Sequence, residues 1–153
     1  MPEEFVLRKA IPGDMERVFH LSNDPSVREN SIQEGTITWD EHVAWFSAML
    51  EDPDHVFLVA ETPQGELIGQ VRFSRRNREH LVSISIHHAF RNRHLGSQIL
   101  VAAIHNIPER CCLAYVKETN VASRRMFEKV GFSLLRHETI NNQLYKVYHY
   151  GKP

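Results

Sequence analysis

Residues 90–100, FRNRHLGSQIL, contain the groups of this chain best suited to binding an anion. The first amides of a helix have no partner within that helix, and its dipole favours negative charge beside them. Gly96 lacks a Cβ that would obstruct a phosphate, and Arg91 and Arg93 add positive charge. The glycine spacing fits neither a Walker loop nor a dinucleotide fingerprint. The stretch indicates either a phosphate-binding turn or an ordinary helix N-terminus with a glycine for packing.

A second stretch, residues 115–132, leaves a predicted strand, caps a helix with Asn120 or Thr119 and ends that helix at Gly131. Together the two stretches resemble the GNAT superfamily of acetyl-CoA-dependent N-acetyltransferases. The family's first motif, Arg/Gln-x-x-Gly-x-Gly/Ala, corresponds to residues 91–96. Its second motif, Asn-x-x-Ala/Ser-x-x-x-Tyr/Phe-Glu-Lys-x-Gly-Phe, is matched by Asn120, Ser123, Phe127, Glu128, Lys129, Gly131 and Phe132.

The resemblance implies a binding site for acetyl-CoA. The amides of residues 92–97 would bind the pyrophosphate, the strand end at residues 85–86 would pair with the pantetheine arm, and Asn120 would contact that arm from the other side. His94 replaces the family's first glycine, so a positive φ there would strain it and weaken cofactor binding. The expected cofactor residues are Ser85, Ile86, Arg91, Asn92, Arg93, His94, Leu95, Gly96, Ser97, Asn120 and Phe127.

Acetyl transfer requires a polarised thioester carbonyl and a proton for the departing thiolate. A backbone N–H near Ile86 or His87 could hold the carbonyl oxygen. The family's usual proton donor is a tyrosine, where this chain has Phe127, which cannot donate. Tyr115, Ser123 or a water molecule could replace it, or the thiolate could leave unprotonated, and the sequence leaves these alternatives open.

The reaction also requires a neutral amine, and hence a base. Many relatives carry a glutamate early in the fourth strand, where this chain has Leu81. His87 and His88 lie where that strand should meet the cleft, and histidine titrates near neutrality, so both are candidate bases. Either could instead be a solvated bystander. No metal is expected, because no carboxylate lies at ligand spacing from these histidines or from His94.

The amino-terminal half usually shapes the acceptor site in this family. Residues 22–54 resemble the acetyltransferases that act on UDP-linked 4-amino sugars in pseudaminic acid biosynthesis, and ribosomal-protein N-terminal acetyltransferases share part of the pattern. A small-molecule amine, the 4-amino group of a UDP-sugar, is therefore the expected acceptor. A protein N-terminal amine and a non-catalytic acyl-CoA sensor remain alternatives. The expected substrate-binding residues are Arg28, Asn30, Trp39, His42 and Arg72.

Apolar periodicity predicts the elements that must position these residues, in the order β α α β β β α β α β β. The expected fold is α/β, with one mixed sheet of about seven strands flanked on both faces by about four helices, in a single domain over residues 1–153. The resemblance implies that this is the GNAT fold. The strands at 81–87 and 111–116 should be parallel, joined by a right-handed crossover, and splayed at their ends. The remaining strands are predicted at 5–10, 55–61, 67–74, 133–140 and 144–150.

Composition restricts the partners of this chain. Its 153 residues carry a formal net charge of −1, so nothing global indicates nucleic acid or an acidic membrane surface. No apolar run approaches the roughly 20 residues of a membrane span. The adjacent Cys111 and Cys112 cannot form an unstrained disulfide, so we expect free thiols and a cytoplasmic location. The oligomeric state is left open, a homodimer included.

Overall fold

The computed structural model describes residues 4–33, 35–108 and 110–151. Seven strands form one sheet in the order β1-β2-β3-β4-β5-β7-β6. Neighbouring strands are antiparallel, apart from the parallel pair β4 and β5, which confirms the predicted mixed sheet. The strands are β1 (Val6–Lys9), β2 (His55–Glu61), β3 (Leu67–Arg76), β4 (Glu79–Ile86), β5 (Cys112–Lys117), β6 (Ser133–Ile140) and β7 (Gln143–Tyr150).

The described chain contains five α-helices, one more than the sequence predicted. They are α1 (Met15–Ser22), α2 (Pro25–Glu29), α3 (Trp39–Glu51), α4 (Leu95–Ile104) and α5 (Val121–Val130). The additional helix, α2, is a short one without apolar periodicity, and it begins because the Asp24 carboxylate accepts a hydrogen bond from the Ser26 amide at 2.9 Å. None of the described helices is long and apolar enough to cross a membrane.

Helices cover both faces of the sheet, as predicted, and β2 shows this most clearly. Leu58 and Ala60 face the larger core cluster, to which α4 and α5 contribute. The alternating residues Phe57 and Val59 face a smaller cluster that includes Val18 of α1 and Phe46 of α3. Because successive side chains of a strand point to opposite faces, the sheet is the middle of three layers.

The parallel strands β4 and β5 pair only at their beginnings, through His80 with Cys112 and Leu81 with Leu113. Beyond these residues the two strands diverge, and the β5-facing edge of β4 is unpaired over residues 82–86 within the described structure. This divergence confirms the predicted cleft. It also places unpaired backbone donors and acceptors along one wall of the opening.

Local chemistry explains where the elements end. Thr38 and Glu41 form the predicted capping box, with both side chain-to-backbone bonds at 3.2 Å. The strands predicted at 67–74 and 81–87 are longer in the structure, because β3 and β4 stay paired as far as Arg76 and Glu79 around a turn in which Asn77 has a φ of 59°. Asparagine tolerates this left-handed conformation, so a tighter turn is possible.

The helix α4 ends at Ile104, although apolar residues of its sequence continue to Ile107, which stays buried. Gly131 ends α5 with a φ of 115°, as predicted. Cys111 and Cys112 are both buried, and their thiols form no disulfide within the described structure.

Candidate active site

A cavity of about 1230 Å³ begins in the gap between β4 and β5 and continues beneath α2 and α3. Its walls include residues 81–86 of β4, residues 115–116 of β5, Arg72 of β3 and the first turns of α4 and α5. The divergence of the two parallel strands therefore opens into a recess formed by the amino-terminal helices. The cavity is large enough to hold a cofactor and a second molecule together.

The turn that precedes α4 presents backbone amides to this cavity. Asn92 and His94 both have positive φ, at 62° and 60°. No side chain of the described residues caps α4, whereas Thr38 caps α3 and Asn120 caps α5. The first amides of α4 are thus available to an anion, which is the arrangement that a pyrophosphate requires.

His94, the residue directly before α4, has the left-handed conformation that favours glycine. Such a conformation costs a non-glycine residue about 1 kcal/mol. Strain was expected at this position if its φ was positive, and the structure shows that it is. His94 lines the cavity and its Nδ1 lies 3.1 Å from the Nζ of Lys129 on α5.

Gly96 lines the cavity, and its missing side chain also leaves room for Met126 on the neighbouring helix. A Cβ at this position would lie 2.9 Å from the Sδ of Met126 on α5 and 3.7 Å from Ile86. The absence of a side chain therefore allows α4 to pack closely on α5. A large residue at position 96 would disturb this packing and not simply fill the phosphate turn.

The other expected cofactor residues lie mostly along the same wall. Arg91 lines the cavity and its Nε donates to the Ile86 carbonyl at 3.0 Å. Arg93 does not line the cavity, and its guanidinium lies 5.5 Å from the centroid of the Phe90 ring. The remaining expected residues that line it are Ser85, Ile86, Asn92, Leu95, Ser97, Asn120 and Phe127.

Asn120 and Ser123 form the cap of α5 at the edge of the gap. The Asn120 Oδ1 accepts a hydrogen bond from the Ser123 amide at 3.2 Å, and its Nδ2 donates to the Ser123 hydroxyl at 3.0 Å. Of the two predicted caps, the structure selects Asn120 over Thr119. Because both side chains bond to each other, any contact with a cofactor would have to share these groups.

Of the candidate proton donors and bases, Tyr115 and Ser123 line the cavity, while His87 and His88 do not. The two histidine rings stack on each other with centroids 4.3 Å apart. The His87 Nδ1 accepts a hydrogen bond from the Ala89 amide at 3.1 Å, and the His88 Nδ1 lies 3.3 Å from an Asp24 carboxylate oxygen. One ring nitrogen of each histidine therefore has a local contact, and neither histidine lines the cavity.

The Tyr115 hydroxyl has a hydrogen-bond partner on another strand, which was not among the expected site residues. The Arg136 Nη2 donates to the Tyr115 hydroxyl oxygen at 3.2 Å. Arg136 lies on β6, and β7 separates that strand from β5 in the sheet. Only the sheet order brings the two side chains together, so no local sequence signal could have revealed the pair.

Arg72 forms part of the acceptor side of the cavity. Its guanidinium lies 4.7 Å from the centroid of the Trp45 ring, and its Nη2 donates to the Ser83 hydroxyl at 3.2 Å. Its Nε is buried without a hydrogen-bond partner among the described residues. Burial and the nearby Arg28 charge lower the pKa of Arg72 to about 10, so the side chain stays charged at neutral pH.

Arg28 lies on α2 and faces the same cavity. Its Nε donates to the Ser22 carbonyl at 2.7 Å, and its other nitrogens donate to the Gln33 carbonyl and the Ser31 hydroxyl, each at 3.1 Å. These acceptors are all uncharged. Burial lowers the pKa of Arg28, yet leaves it a cation.

His42 lines the cavity from α3 with a defined tautomer. Its Nε2 lies 2.8 Å from the Met15 carbonyl oxygen, which can only accept, so Nε2 carries the proton. Its Nδ1 is then a lone-pair acceptor, and it has no partner in the described parts of the chain. Burial lowers the pKa of His42, and the Arg72 charge adds to this effect, which favours the neutral ring.

The other two expected substrate residues differ in position. Asn30 lines the cavity, and its Nδ2 donates to the Ser26 carbonyl at 2.9 Å. Trp39 lies outside the cavity wall, where its ring packs edge-on against Phe19 at 5.1 Å. Trp45, which follows Trp39 by six residues on α3, lines the cavity instead.

The comparison with known protein families agrees with this geometry. Residues 4–133 match the family described as Acetyltransferase (GNAT) domain. Because the match covers most of the chain, the protein belongs to the GNAT family of acetyltransferases. The cofactor of this family is acetyl-CoA, and the uncapped turn before α4 and the unpaired edge of β4 fit its pyrophosphate and its pantetheine arm.

Several solved structures share the fold. The chain aligns with a spermidine N-acetyltransferase from Vibrio cholerae, solved with CoA and spermine, at a TM-score of 0.85 and 20% identity, covering 95% of this chain and 94% of the other. It also aligns with a protein provisionally described as a phosphinothricin N-acetyltransferase, at a TM-score of 0.82 and 23% identity, covering 97% and 98%. At these identities the likeness establishes the fold alone.

A relative from Methanocaldococcus jannaschii, named Uncharacterized protein MJ1062, is 23% identical over 150 residues. The match covers 94% of this chain but only 31% of that protein. The chain thus spans about a third of the length of this relative, and the relative's name specifies no acceptor.

Proposed function

We propose that this chain transfers an acetyl group from acetyl-CoA to the 4-amino group of a UDP-linked amino sugar. The observation that carries the proposal is the continuity of the cavity, which joins the β4–β5 gap to the recess beneath α2 and α3. A cofactor bound along the gap would present its thioester to an acceptor in the recess. Holding two reactants in one cavity converts a bimolecular step into an effectively unimolecular one.

In this proposal, residues of the chain manage the protons of the reaction. Acetyl-CoA supplies the activated acyl group. As the new C–N bond forms and the C–S bond breaks, Tyr115 gives its phenolic proton to the departing sulfur, and the proton that the amine loses restores it. Arg136 orients the phenolic oxygen by donating to it. Because a guanidinium can only donate, the phenolic proton of Tyr115 stays available. His42 offers the lone pair of Nδ1 as a hydrogen-bond acceptor for a polar group of the acceptor molecule.

The sugar-nucleotide acceptor is supported by the resemblance of residues 22–54 and by the walls of the recess. Arg28, His42 and Arg72, which were expected to bind substrate, line it together with Asn30. The Trp45 ring offers an aromatic surface near Arg72. A nucleotide sugar has a diphosphate, a flat base and hydroxyl groups, which these side chains complement.

A non-catalytic acyl-CoA sensor is the second candidate, and two residues favour it. Leu81 and Phe127 line the cavity at positions where many relatives carry a glutamate and a tyrosine. If Tyr115 does not take over these proton transfers, the chain would bind acetyl-CoA without turnover. A protein N-terminal amine is a further outcome of the same experiment.

The test combines a thermal-shift titration with an assay of CoA release. Acetyl-CoA should raise the melting temperature, and a UDP-sugar added at saturating acetyl-CoA should raise it further, because ligands that bind the native state stabilise it. CoA should then be released with a UDP-linked 4-amino sugar. Stabilisation by acetyl-CoA without CoA release from any amine or N-terminal peptide would instead establish the sensor.

A further inference from the structure

Arg28 and Arg72 form a pair of cations on one side of the recess that the described residues leave without a counter-ion. Neither guanidinium makes an ion pair with a carboxylate in residues 4–33, 35–108 or 110–151. Glu41 lines the same cavity, but one of its carboxylate oxygens accepts the Thr38 amide in the capping box. Two like charges facing one partly dehydrated space repel each other, and an anion would relieve this repulsion.

We propose that Arg28 and Arg72 together are a receptor for an oxyanion, a phosphate or a carboxylate, carried by the acceptor molecule. The receptor rests on the proposed function, because it lies in the acceptor recess, and it specifies a feature that any acceptor must have. It selects amines that carry an oxyanion and rejects polycationic amines. The spermidine N-acetyltransferase that shares this fold is named for a polyamine, so the two sites differ in the charge that they recognise.

The contacts of each arginine fix its position and leave some of its N–H groups able to donate to an anion. Arg28 is held by two carbonyl oxygens and one hydroxyl, none of which neutralises its charge. Arg72 is held by the Trp45 ring and by Ser83, and its Nε has no partner among the described residues. Guanidinium groups already oriented in this way lose little conformational entropy when they bind an oxyanion.

Ser83 connects the receptor to the reaction site. It lies on β4 two residues beyond Leu81, where β4 and β5 begin to diverge, and directly opposite Arg72 in the β3–β4 pairing. An oxyanion held by Arg72 would therefore lie beside the narrow end of the gap. The amine of such an acceptor would be anchored close to the point where the acyl group must arrive.

The experiment measures binding of UDP, of glutamate and of spermidine to the full chain at saturating CoA, by isothermal titration calorimetry. CoA is present so that the phosphate turn before α4 is already filled and a phosphate probe reports only a second site. We expect UDP or glutamate to bind and spermidine not to bind. UDP in preference to glutamate would identify a phosphate as the recognised group, and the reverse would identify a carboxylate.

Arg72→Met and Arg28→Met should each weaken binding of the preferred anion at least about tenfold, as expected for losing a charge-assisted contact. Arg76→Met is the matched control, because Arg76 is exposed at the end of β3 and away from the recess. Unchanged CoA affinity verifies that each variant is folded. Should Arg72→Met misfold, Arg28→Met decides the question.

Equal binding by wild type and both variants would overturn the receptor, as would tighter binding of spermidine than of either anion. Binding of neither UDP nor glutamate would overturn it as well. Anion binding that is lost in the variants, without CoA release from a UDP-linked 4-amino sugar, would keep the receptor and overturn the sugar-nucleotide acceptor. The two proposals therefore fail in different ways.

Discussion

The Nζ of Lys129 lies 3.1 Å from the Nδ1 of His94, so the residue directly before α4 contacts the last turn of α5. Since an ammonium group can only donate, the imidazole nitrogen is the acceptor in this contact. The pair joins the turn before α4 to α5 and places a positive charge beside the turn that would receive the cofactor's phosphates. The histidine that replaces a family glycine is thus part of the cavity wall.

The left-handed conformation of His94 predicts a strong dependence on the side chain at this position. His94→Val should lower the free energy of unfolding by about 1 kcal/mol and weaken acetyl-CoA binding, because a β-branched residue is strained at positive φ. His94→Gly should keep or increase both quantities. Urea denaturation and calorimetric titration with acetyl-CoA measure the two effects.

Asn77→Val is the matched control for His94→Val. Asn77 has a nearly identical φ of 59°, but it lies in the β3–β4 turn and does not line the cavity. We expect this variant to lose stability while its affinity for acetyl-CoA stays unchanged. If His94→Val bound acetyl-CoA as tightly as wild type, the turn before α4 would not be the phosphate site.

The buried carboxylate of Asp14 predicts how stability depends on pH. It accepts hydrogen bonds from Arg8 at 2.8 Å and from Arg17 at 2.7 Å. Burial raises the pKa of Asp14, but these hydrogen bonds outweigh burial and lower the pKa from 3.8 to about 2. Because the folded-state pKa is depressed, this stabilisation is fully present above pH 3.8 and is lost as the pH falls through about 2.

Asp14→Asn should therefore lower the free energy of unfolding by about 2 kcal/mol at neutral pH. The difference from wild type should shrink as the pH is lowered from about 4 towards 2, which denaturant titrations at several pH values would show. Glu66→Gln, at an exposed carboxylate between β2 and β3, is the control and should have little effect. A difference that did not vary with pH would refute the assignment of the stabilisation to the Asp14 charge.

Gly69 on β3 packs so closely against β4 that an added side chain should disturb the wall of the gap. A Cβ there would meet the backbone oxygen of Ser85 and would lie 2.9 Å from the Ile86 Cδ1. Gly69→Ala should lower the free energy of unfolding by about 2 kcal/mol, as overpacking does, and should displace the end of β4. Acetyl-CoA affinity should fall with it, because that strand end forms a wall of the cavity.

Gly13→Ala is the control for this substitution, since the nearest atom to a Cβ at position 13 is the Ile11 Cδ1 at 3.8 Å. That variant should keep both stability and cofactor affinity. Thermal denaturation and calorimetric titration of the two variants give the comparison. Normal acetyl-CoA affinity in a destabilised Gly69→Ala protein would mean that the end of β4 does not contact the cofactor.

Removing the Tyr115 hydroxyl should lower kcat without weakening the binding of acetyl-CoA. Tyr115→Phe should reduce kcat by about a hundredfold, the size of a typical general-acid contribution, while KM for acetyl-CoA stays within about twofold. Arg136→Met should reduce kcat less, and Arg136→Lys should restore part of the loss. Steady-state measurements of CoA release, with an acceptor found as proposed above, provide the values.

Tyr150→Phe serves as the control for the tyrosine hydroxyl, because Tyr150 lies on β7 and does not line the cavity. It should leave kcat unchanged. A Tyr115→Phe enzyme with normal kcat would show that the thiolate takes its proton from elsewhere or leaves without one. The remaining candidate on the cavity wall would then be Ser123.

The amino-acid sequence by itself predicted all seven described strands, four of the five described α-helices and the residues of a candidate cofactor site. The apolar periodicities, the capping box at Thr38 and the glycine that ends α5 are local features, and local interactions decide where helices and strands begin and end. The turn before α4 was recognised for the same reason, since its residues are consecutive. Even there, the sequence could not reveal that Gly96 packs against Met126.

The tertiary structure decided which of the expected acceptor and catalytic residues share one cavity. Adjacent histidines at a strand end resembled a base, but their rings stack on each other outside the cavity, while His42, from a distant helix, lines it. Arg136 reaches Tyr115 only because β7 is inserted between β5 and β6. Arg28 and Arg72 face one recess because α2 lies over the sheet where β4 leaves β5. Such contacts depend on sheet order and helix placement, which packing across the whole chain determines and no local pattern encodes.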